Sequence, residues 1–153
     1  MDKLFKKLHF SINSFIRKSG LLVVPFSFMS FENYARQFAE IYYNLYNDID
    51  QRRNLAEIYT PNSLLTLNNK QIVGNNDIME ELMNLKNHRK LHQHVTAQPS
   101  LNDTILLTVQ GQTGFLDDNG QVETPLEFFE IFLIGQENGQ FFIINQIFST
   151  IGF

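Results

Sequence analysis

Apolar residues recur at helical spacing from residue 31 onward. They follow one another at intervals of three and four, which predicts a long amphipathic helix with Ser30 as its N-cap. Its apolar stripe consists of Phe31, Tyr34, Ala35, Phe38, Tyr42, Leu45 and Tyr46. A second, shorter helix is predicted to begin at Asp48 or Asp50 and to end before Pro61. Its apolar side carries Leu55, Ile58 and Tyr59.

A third helix follows a short hairpin. The hairpin is predicted from two apolar runs, residues 64–67 and 71–73, on either side of Asn68-Asn69-Lys70. The polar residues 75–77 then supply the cap of the helix, which ends near Lys86. Its inward positions are Ile78, Met79, Leu82 and Leu85.

The rest of the chain reads as four strands. These are predicted at residues 91–98, 104–115, 122–135 and 140–148. Turn sequences separate them, and Asn119-Gly120 is typical of a tight hairpin. Helices followed by an antiparallel meander predict an α+β fold, with the helices packed on one face of a curved sheet.

The last two predicted strands are apolar on both faces. Phe128, Phe132 and Ile134 alternate with Phe129, Ile131 and Leu133, and residues 141–148 behave in the same way. The helices can cover only one of these faces. The other face needs a partner, and we expect a second copy of the chain, in a sheet-to-sheet homodimer.

The first 28 residues differ from the rest of the chain. Five basic residues accompany a single acid there, and the segment then becomes apolar at residues 21–24. It is consistent with a targeting peptide or with an amphipathic arm. It is also consistent with an upstream start codon, because the sequence from Met29 onward resembles the beginning of a protein. We therefore divide the chain into an N-terminal extension, residues 1–28, and one domain, residues 29–153.

Composition narrows the possible functions. The chain has no cysteine, so it can form neither a disulfide nor a thiolate zinc site. Its net charge of −4 argues against direct nucleic-acid binding, which depends on clustered Lys and Arg. No apolar run approaches the roughly 20 residues that cross a bilayer, so no membrane partner is expected. Its 15 Phe and 5 Tyr exceed what a small core usually needs.

Several local strings, in this order, resemble the nuclear transport factor 2 family. The resemblance runs from about Phe31 to Phe153, and none of the strings is a catalytic signature. They are residues 41–46 (IYYNLY), 55–59 (LAEIY), 64–67 (LLTL), Val73-Gly74, 90–98 (KLHQHVTAQ), Gly111-Gln112, 128–133 (FFEIFL) and 145–148 (NQIF).

The resemblance implies a fold and a role. The fold is a cone, with three N-terminal helices packed on a strongly curved antiparallel or mixed sheet. The role is that of a homodimeric carrier, without cofactor or enzymatic activity, which binds Ran in its GDP form and Phe-Gly repeat nucleoporins. Such a carrier returns Ran to the nucleus and works in the cytoplasm, in the nucleus and at the nuclear pore.

In the family, an apolar cavity at the open end of the cone accepts an aromatic side chain of Ran. The matching cavity positions are Leu67, Leu85, Leu91, Leu126, Ile131, Ile147, Phe148 and Phe153. The cavity rim is acidic in the family, and Asp117, Asp118 and Glu123 occupy the corresponding hairpin here. A buried aromatic anchor inside a charged rim is the usual anatomy of a binding hot spot. The acids at 117 and 118 are equally what a tight turn prefers.

Two departures from the family pattern leave an alternative open. Import-type members have a Trp followed by a Glu at the cavity mouth, where this chain has Leu67 and Asn68. Residues 50–55 (DQRRNL) resemble the small subunit of the messenger RNA export receptor, which forms a heterodimer with a large subunit. Residues 96–98 and 148–153 look more like the import factor, which we favour.

Enzymatic and metal-binding functions are less favoured alternatives. His92 and His94 lie two apart in a predicted strand and would share a face, but no third metal ligand is evident. Some proteins of the superfold hold acid-base groups inside the cavity, and Tyr42, Tyr43, His94 and Glu130 are the nominal candidates. Nothing in the sequence pairs them, so we predict neither catalytic residues nor metal ligands.

Overall fold

The computed structural model describes residues 31–137 and 140–152. The predicted extension 1–28, the predicted cap Ser30 and the predicted cavity residue Phe153 lie outside these residues. The described part begins with α1 (Phe31–Asn47) and a 3₁₀ helix (Arg52–Glu57), followed by β1 (Tyr59–Leu67) and β2 (Lys70–Val73). The remaining elements are α2 (Asn75–Asn84), β3 (His88–Pro99), β4 (Ile105–Leu116), β5 (Val122–Glu137) and β6 (Gln140–Ile151).

The six strands form one curved sheet in the order β2-β1-β6-β5-β4-β3. Strands β3 to β6 are consecutive antiparallel neighbours, as the meander pattern predicts. Strand β1 pairs with β2 in the predicted hairpin and lies parallel to β6. The sheet is therefore mixed, and the predicted α+β fold is confirmed.

Helix α1 covers the inner face of the sheet with its predicted stripe. Tyr42 and Tyr46 are fully buried, and Phe38 packs edge-on against Phe132 of β5 at a ring-centroid distance of 5.3 Å. Phe31 is the exception, at 38% exposure. Apolar burial on this scale is the main stabilising contribution of the fold.

The second predicted helix is shorter than expected. Residues 52–57 form a 3₁₀ helix, and Tyr59 begins strand β1 instead of ending the helix. The reason is packing on both sides: Leu55 is buried under the helices, and the Tyr59 ring is buried within the sheet. Leu85 likewise lies just beyond α2, as its C-terminal cap residue.

A bulge in β3 separates the two histidines that were expected to share a face. His92 pairs with Gly111 whereas His94 pairs with Gln110, so one extra residue on β3 turns the two side chains to opposite faces. A side chain at position 111 would place its Cβ 2.0 Å from the Leu91 carbonyl oxygen, so the bulge requires glycine there. The expectation of a shared histidine face was wrong.

The face of the sheet that points away from the helices is also apolar. Phe129, Ile131 and Leu133 of β5 are half-buried there and alternate with buried inner-face residues. We call this surface the outer face: Leu64, Val73, Phe129, Ile131, Leu133, Ile147 and Ile151. Val73 and Ile151 are 56% and 52% exposed, respectively, in the single chain. An exposed apolar patch of this kind is typical of a protein interface.

Candidate functional site

A series of aromatic rings runs from the core to the surface at one end of the inner face. We call His88, Phe115, Phe128 and Phe148 the mouth cluster. The Phe128 and Phe148 ring centroids are 5.5 Å apart, those of Phe148 and His88 6.0 Å, and those of His88 and Phe115 5.0 Å. Phe128 and Phe148 are almost fully buried, whereas Phe115 is 53% exposed. The cluster therefore opens to solvent at Phe115.

His88 is fixed at the centre of the mouth cluster by a hydrogen bond at each of its two ring nitrogens. Its Nδ1 lies 2.7 Å from the Tyr46 hydroxyl, and its Nε2 lies 2.8 Å from Thr113 Oγ1. Burial lowers the pKa of His88 to about 3, and the nearby Lys90, Arg52 and Arg89 charges act in the same direction. The ring is therefore neutral at pH 7 and packs against Phe115 at an interplanar angle of 60°.

An ion pair lies directly behind the mouth cluster. Lys90 Nζ is 2.9 Å from Glu130 Oε1, and the two side chains are 1% and 0% exposed. The same ammonium group lies 4.2 Å from the Phe148 ring centroid and 4.4 Å from that of Tyr46. Burial lowers the pKa of Lys90 while Glu130 opposes that shift. The carboxylate and the two rings together replace the water that Lys90 gives up.

The second oxygen of Glu130 and the amide of Gln146 extend this network to three tyrosines. Glu130 Oε2 accepts a hydrogen bond of 2.7 Å from Tyr43, and Gln146 Nε2 donates to both Glu130 Oε1 and Tyr42. Tyr59 donates to Gln146 Oε1. The network joins α1 to strands β1, β3, β5 and β6.

The nominal acid-base candidates do not form a reactive constellation. Tyr42, Tyr43 and Glu130 lie within the buried network and bond to one another or to Gln146, whereas His94 lies on the opposite face of the sheet. Burial raises the pKa of Tyr42 and of Tyr43 well above the ordinary value, and Glu130 adds to both shifts. These hydroxyls therefore stay protonated and serve as hydrogen-bond donors inside the protein.

Arg52 ties together the elements around the mouth cluster. The side chain is fully buried, and its guanidinium group donates hydrogen bonds to four backbone carbonyls. The acceptors are Tyr46 in the last turn of α1, Leu82 and Leu85 at the end of α2, and His88 at the start of β3. Carbonyls at helix C-termini carry partial negative charge and suit a cation.

Neither a metal site nor a membrane span is found in the part of the chain that the structure describes. Within residues 31–137 and 140–152, no group of three or more His, Asp or Glu side chains is placed to hold a metal ion. No helix within those ranges is long and apolar enough to cross a bilayer.

Comparison with known proteins decides the family. The sequence profile of the Nuclear transport factor 2 (NTF2) domain matches residues 34–150, most of the chain. The chain belongs to the nuclear transport factor 2 family. It is 32% identical over 126 residues to Nuclear transport factor 2 of Neurospora crassa, a match that covers 80% of this chain and 97% of that protein. The protein of the same name from Saccharomyces cerevisiae is 30% identical over 123 residues, which cover 78% of this chain and 94% of that protein.

Solved structures agree with this NTF2 family assignment. Nuclear transport factor 2 of Cryptosporidium parvum superimposes with a TM-score of 0.69 at 29% identity, over 79% of this chain and 94% of that one. An uncharacterized protein with a cystatin-like fold from Caulobacter vibrioides gives a TM-score of 0.66 over 79% of this chain and 90% of that one. Its 14% identity shows the fold alone. The relatives' shared name supports a non-catalytic role in nuclear transport.

The seven expected cavity positions that the structure describes do not lie on one surface. Phe148 is in the mouth cluster, with Leu67 beside it in strand register, and Leu126 pairs with Thr113, which bonds to His88. Leu85 lies at the end of α2, where Arg52 binds its carbonyl. Leu91, Ile131 and Ile147 instead have their side chains on the opposite face of the sheet. The strict alternation of a strand puts them there, so these three cannot line the same cavity as Phe148.

The three acidic residues of the hairpin in this NTF2 family member have different environments: one is bonded within the turn, and two are exposed. Asp117 Oδ1 accepts hydrogen bonds of 2.8 Å from the backbone N–H groups of Asn119 and Gln121, which is the turn role expected of Asp. Asp118 and Glu123 are exposed, and Glu123 pairs in register with Phe115. The acidic surface beside the mouth cluster therefore consists of these two side chains.

Asn68 has a structural role at the position where the family resemblance predicts a carboxylate. Its backbone has a positive φ of 44°, a conformation that asparagine tolerates in turns. Its Oδ1 accepts a 3.0 Å hydrogen bond from the Thr150 backbone N–H, and its own N–H donates to the Phe148 carbonyl. Asn68 thus holds the β1–β2 turn against the end of β6.

Two residues of the mouth cluster, His88 and Phe115, were not identified from the sequence. His88 was placed between the third predicted helix and the predicted strand 91–98, and Phe115 was placed at the end of the predicted strand 104–115. Neither residue belongs to the strings that resemble the NTF2 family. The signal that could have found Phe115 is its place as a large aromatic residue directly before the acidic turn. His88 could be recognised only through its partners, Tyr46 and Thr113, which are distant in sequence.

Proposed function

We propose that this NTF2 family member is a homodimeric carrier that binds Ran in its GDP form and Phe-Gly repeat nucleoporins. It would mediate nuclear import of Ran, acting in the cytoplasm, in the nucleus and at the nuclear pore. The observation that carries the proposal is the mouth cluster, an apolar aromatic site that opens beside the exposed acids Asp118 and Glu123. An aromatic anchor surrounded by basic groups is the partner that such a site fits.

Titration with Ran tests this proposal. The wild-type protein is expected to bind Ran loaded with GDP at micromolar affinity and to bind the GTP-loaded form far more weakly, as measured by calorimetry. Reversing both exposed acids, Asp118→Lys with Glu123→Lys, should weaken binding roughly 5- to 20-fold at low salt and less at high salt. Equal binding of the two nucleotide forms, or no binding to either, would contradict the proposal.

A charge reversal at the far end of α1 provides the control. Glu32 is exposed in the first turn of α1, whereas Tyr46 near the other end of that helix contacts His88. The 14 positions between them span roughly 20 Å at the helical rise of about 1.5 Å per residue. Glu32→Lys should therefore leave the affinity for Ran unchanged, which separates a local effect at the mouth cluster from a change in overall charge.

The outer face supports a homodimer as the assembled form. Its apolar side chains lie on four adjacent strands, β2, β1, β6 and β5, and the helices cover only the other side of the sheet. Ile131 and Ile147 are register partners near the middle of this surface, with Thr66 on the next strand. A two-fold pairing of the face with itself would remove these side chains from water.

A charge on the outer face is expected to separate the two subunits. Ile147 is 40% exposed in the single chain, and Ile147→Glu would place a carboxylate from each copy in the apolar contact. Because burying an unpaired charge costs several kcal/mol, the dimer dissociation constant should rise at least about 100-fold. Sedimentation velocity over a concentration series measures this. Leu101→Glu, which alters an 83% exposed turn residue, is the control and should remain dimeric.

The small subunit of the messenger RNA export receptor remains the second candidate, and Asn68 is the observation that favours it. The acid expected of an import factor is absent at that position, and Asn68 bonds within the chain instead. The Arg52 that contributes to the export-like string is also bonded internally, so it offers no contact to a partner. A wild-type monomer that assembles only with a large subunit would favour this second function.

A further inference from the structure

Phe115 is the exposed end of the mouth cluster, and nothing in the fold itself requires a phenylalanine there. Its side chain is 53% exposed, although most large apolar side chains on the inner face of the sheet are buried. In strand register it pairs with His88 on β3 and with Glu123 on β5. A large aromatic ring that is half exposed to water contributes less hydrophobic stabilisation to the fold than a buried ring would.

The ring rests on a rigid support. His88 contacts Phe115 at a centroid distance of 5.0 Å, and hydrogen bonds with Tyr46 of α1 and Thr113 of β4 fix the histidine in turn. Behind His88 lie the Phe148 ring and the Arg52 guanidinium, which donates to the His88 carbonyl. A side chain that is already ordered before binding loses little conformational entropy on binding, which is typical of aromatic anchor sites.

The position of Phe115 complements a departure from the family pattern. The mouth residue Leu67 is on β1, beside Phe148 on β6, at the position where the family resemblance predicts a larger ring. Phe115 is on β4, separated from β6 by β5, so it lies on the other side of Phe148 across the sheet. The aromatic surface that is missing at Leu67 is thus present on the opposite side of the same cluster.

The charges around Phe115 indicate the chemistry of its partner. Asp118 and Glu123 are both exposed, one in the turn that follows Phe115 and one directly across the strand pair. Lys90 and Arg52 are buried and bonded internally, and the partly exposed Arg89 has its guanidinium on the Lys86 and His88 carbonyls, on the β3 side of the cluster. An approaching segment therefore meets an exposed aromatic ring between two carboxylates.

We propose that Phe115 is a specificity-determining residue of the binding site, which stacks against an aromatic side chain of the partner that is flanked by basic residues. The inference rests on the proposed carrier function. It assigns the main contact with the aromatic side chain of the partner to Phe115 on β4 instead of to Leu67 on β1. Truncation of an aromatic anchor residue at an interface commonly weakens binding about tenfold or more.

The test compares Phe115→Ala with Phe31→Ala in titrations against Ran loaded with GDP. Phe31 is a matched control because it is a phenylalanine of 38% exposure at the start of α1, away from the mouth cluster. Phe115→Ala should weaken binding at least about tenfold while Phe31→Ala changes it less than about twofold. Phe115→Tyr retains the ring and should keep most of the affinity. Thermal unfolding of each variant checks that the fold is intact.

A second measurement separates failure of this inference from failure of the proposed function. If the wild type binds Ran and Phe115→Ala binds it with the same affinity, the role of Phe115 is overturned. The proposed carrier function would then still stand. If the wild type does not bind Ran, short peptides Lys-Phe-Lys and Lys-Leu-Lys are titrated, and backbone amide NMR shifts are followed. The inference is supported if the amide signals of residues 113–126 shift with Lys-Phe-Lys but not with Lys-Leu-Lys, and if these shifts are lost in Phe115→Ala. Equal shifts with both peptides, or none, overturn it.

Discussion

Replacing Lys90 with methionine is expected to lower the free energy of unfolding by about 3–5 kcal/mol, the usual cost of breaking a buried ion pair from one side. Methionine fills most of the same volume, but it leaves the Glu130 carboxylate without its cation in a site where both side chains are essentially unexposed. The Phe148 and Tyr46 rings lose the ammonium group that lies 4.2 and 4.4 Å from their centroids. Urea unfolding at pH 7 and constant protein concentration measures the loss.

Two further variants show whether the effect comes from the unpaired charge. The double variant Lys90→Met with Glu130→Gln removes both charges, and the single amide oxygen can still accept one hydrogen bond, from Tyr43 or from Gln146. It should recover at least about 2 kcal/mol of the loss, because neutral replacement of a buried pair is often tolerated. Lys70→Met breaks the surface pair with Glu81, where Lys70 is 61% exposed, and should cost less than about 1 kcal/mol. A loss as small for Lys90→Met would refute the argument.

The second large effect is expected at Arg52. Arg52→Met should lower the free energy of unfolding by at least about 3 kcal/mol, because hydrogen bonds from charged donors are worth about 1.5–3 kcal/mol each. Four carbonyls lose this donor, and the Leu85 carbonyl accepts at only 2.7 Å. The His88 carbonyl keeps a 3.0 Å hydrogen bond from Arg89, so the loss is less than the sum of four bonds.

Arg53 offers a matched control for this substitution. It is the next residue along the 3₁₀ helix and is exposed, so Arg53→Met should change stability by no more than about 0.5 kcal/mol. Hydrogen exchange adds a local readout, since the loss of Arg52 should speed exchange at the end of α2 and the start of β3 more than in β4 and β5. Equal losses in the two arginine variants would show that the carbonyl contacts contribute little.

The two buried cations also bear on binding. Lys90 contacts the back of Phe148, and Arg52 fixes the backbone of His88, so both support rings of the mouth cluster from inside. A buried charge that is fully bonded contributes more to a unique arrangement than to net stability, because desolvation offsets most of the attraction. In the proposed function, the surface at Phe115 is therefore held in place by buried residues that would not contact the partner.

The elements of the fold could be read from local patterns. The intervals of three and four in residues 31–46 identified α1, and the buried residues of that helix are largely the predicted stripe. Turn residues such as Asn119 and Gly120 marked the ends of β4 and β5 to within a few positions. These features depend on neighbours in sequence, so a single sequence is enough to determine them.

The second helix and the cavity list show where such reading failed. Tyr59 fits the apolar side of a helix equally well, yet hydrogen bonds to Gln146 and Tyr42 hold it in the sheet. Ile131 and Ile147 were placed in the cavity by resemblance, and strand alternation puts them on the outer face. Which face of a strand meets the helices depends on pairing across the sheet, and no local pattern contains that information.

The sequence by itself determined the fold class and the apolar character of both sheet faces, because spacing of apolar residues and turn chemistry are local properties, and its short strings carried the resemblance to the family. Only the tertiary structure decided which polar groups meet. Lys90 and Glu130 are 40 positions apart, Tyr43 and Glu130 are 87 apart, and His88 and Thr113 are 25 apart. Such pairs form because an unpaired polar group is costly to bury. Which partner is available to it depends on the packing of elements that are distant in sequence.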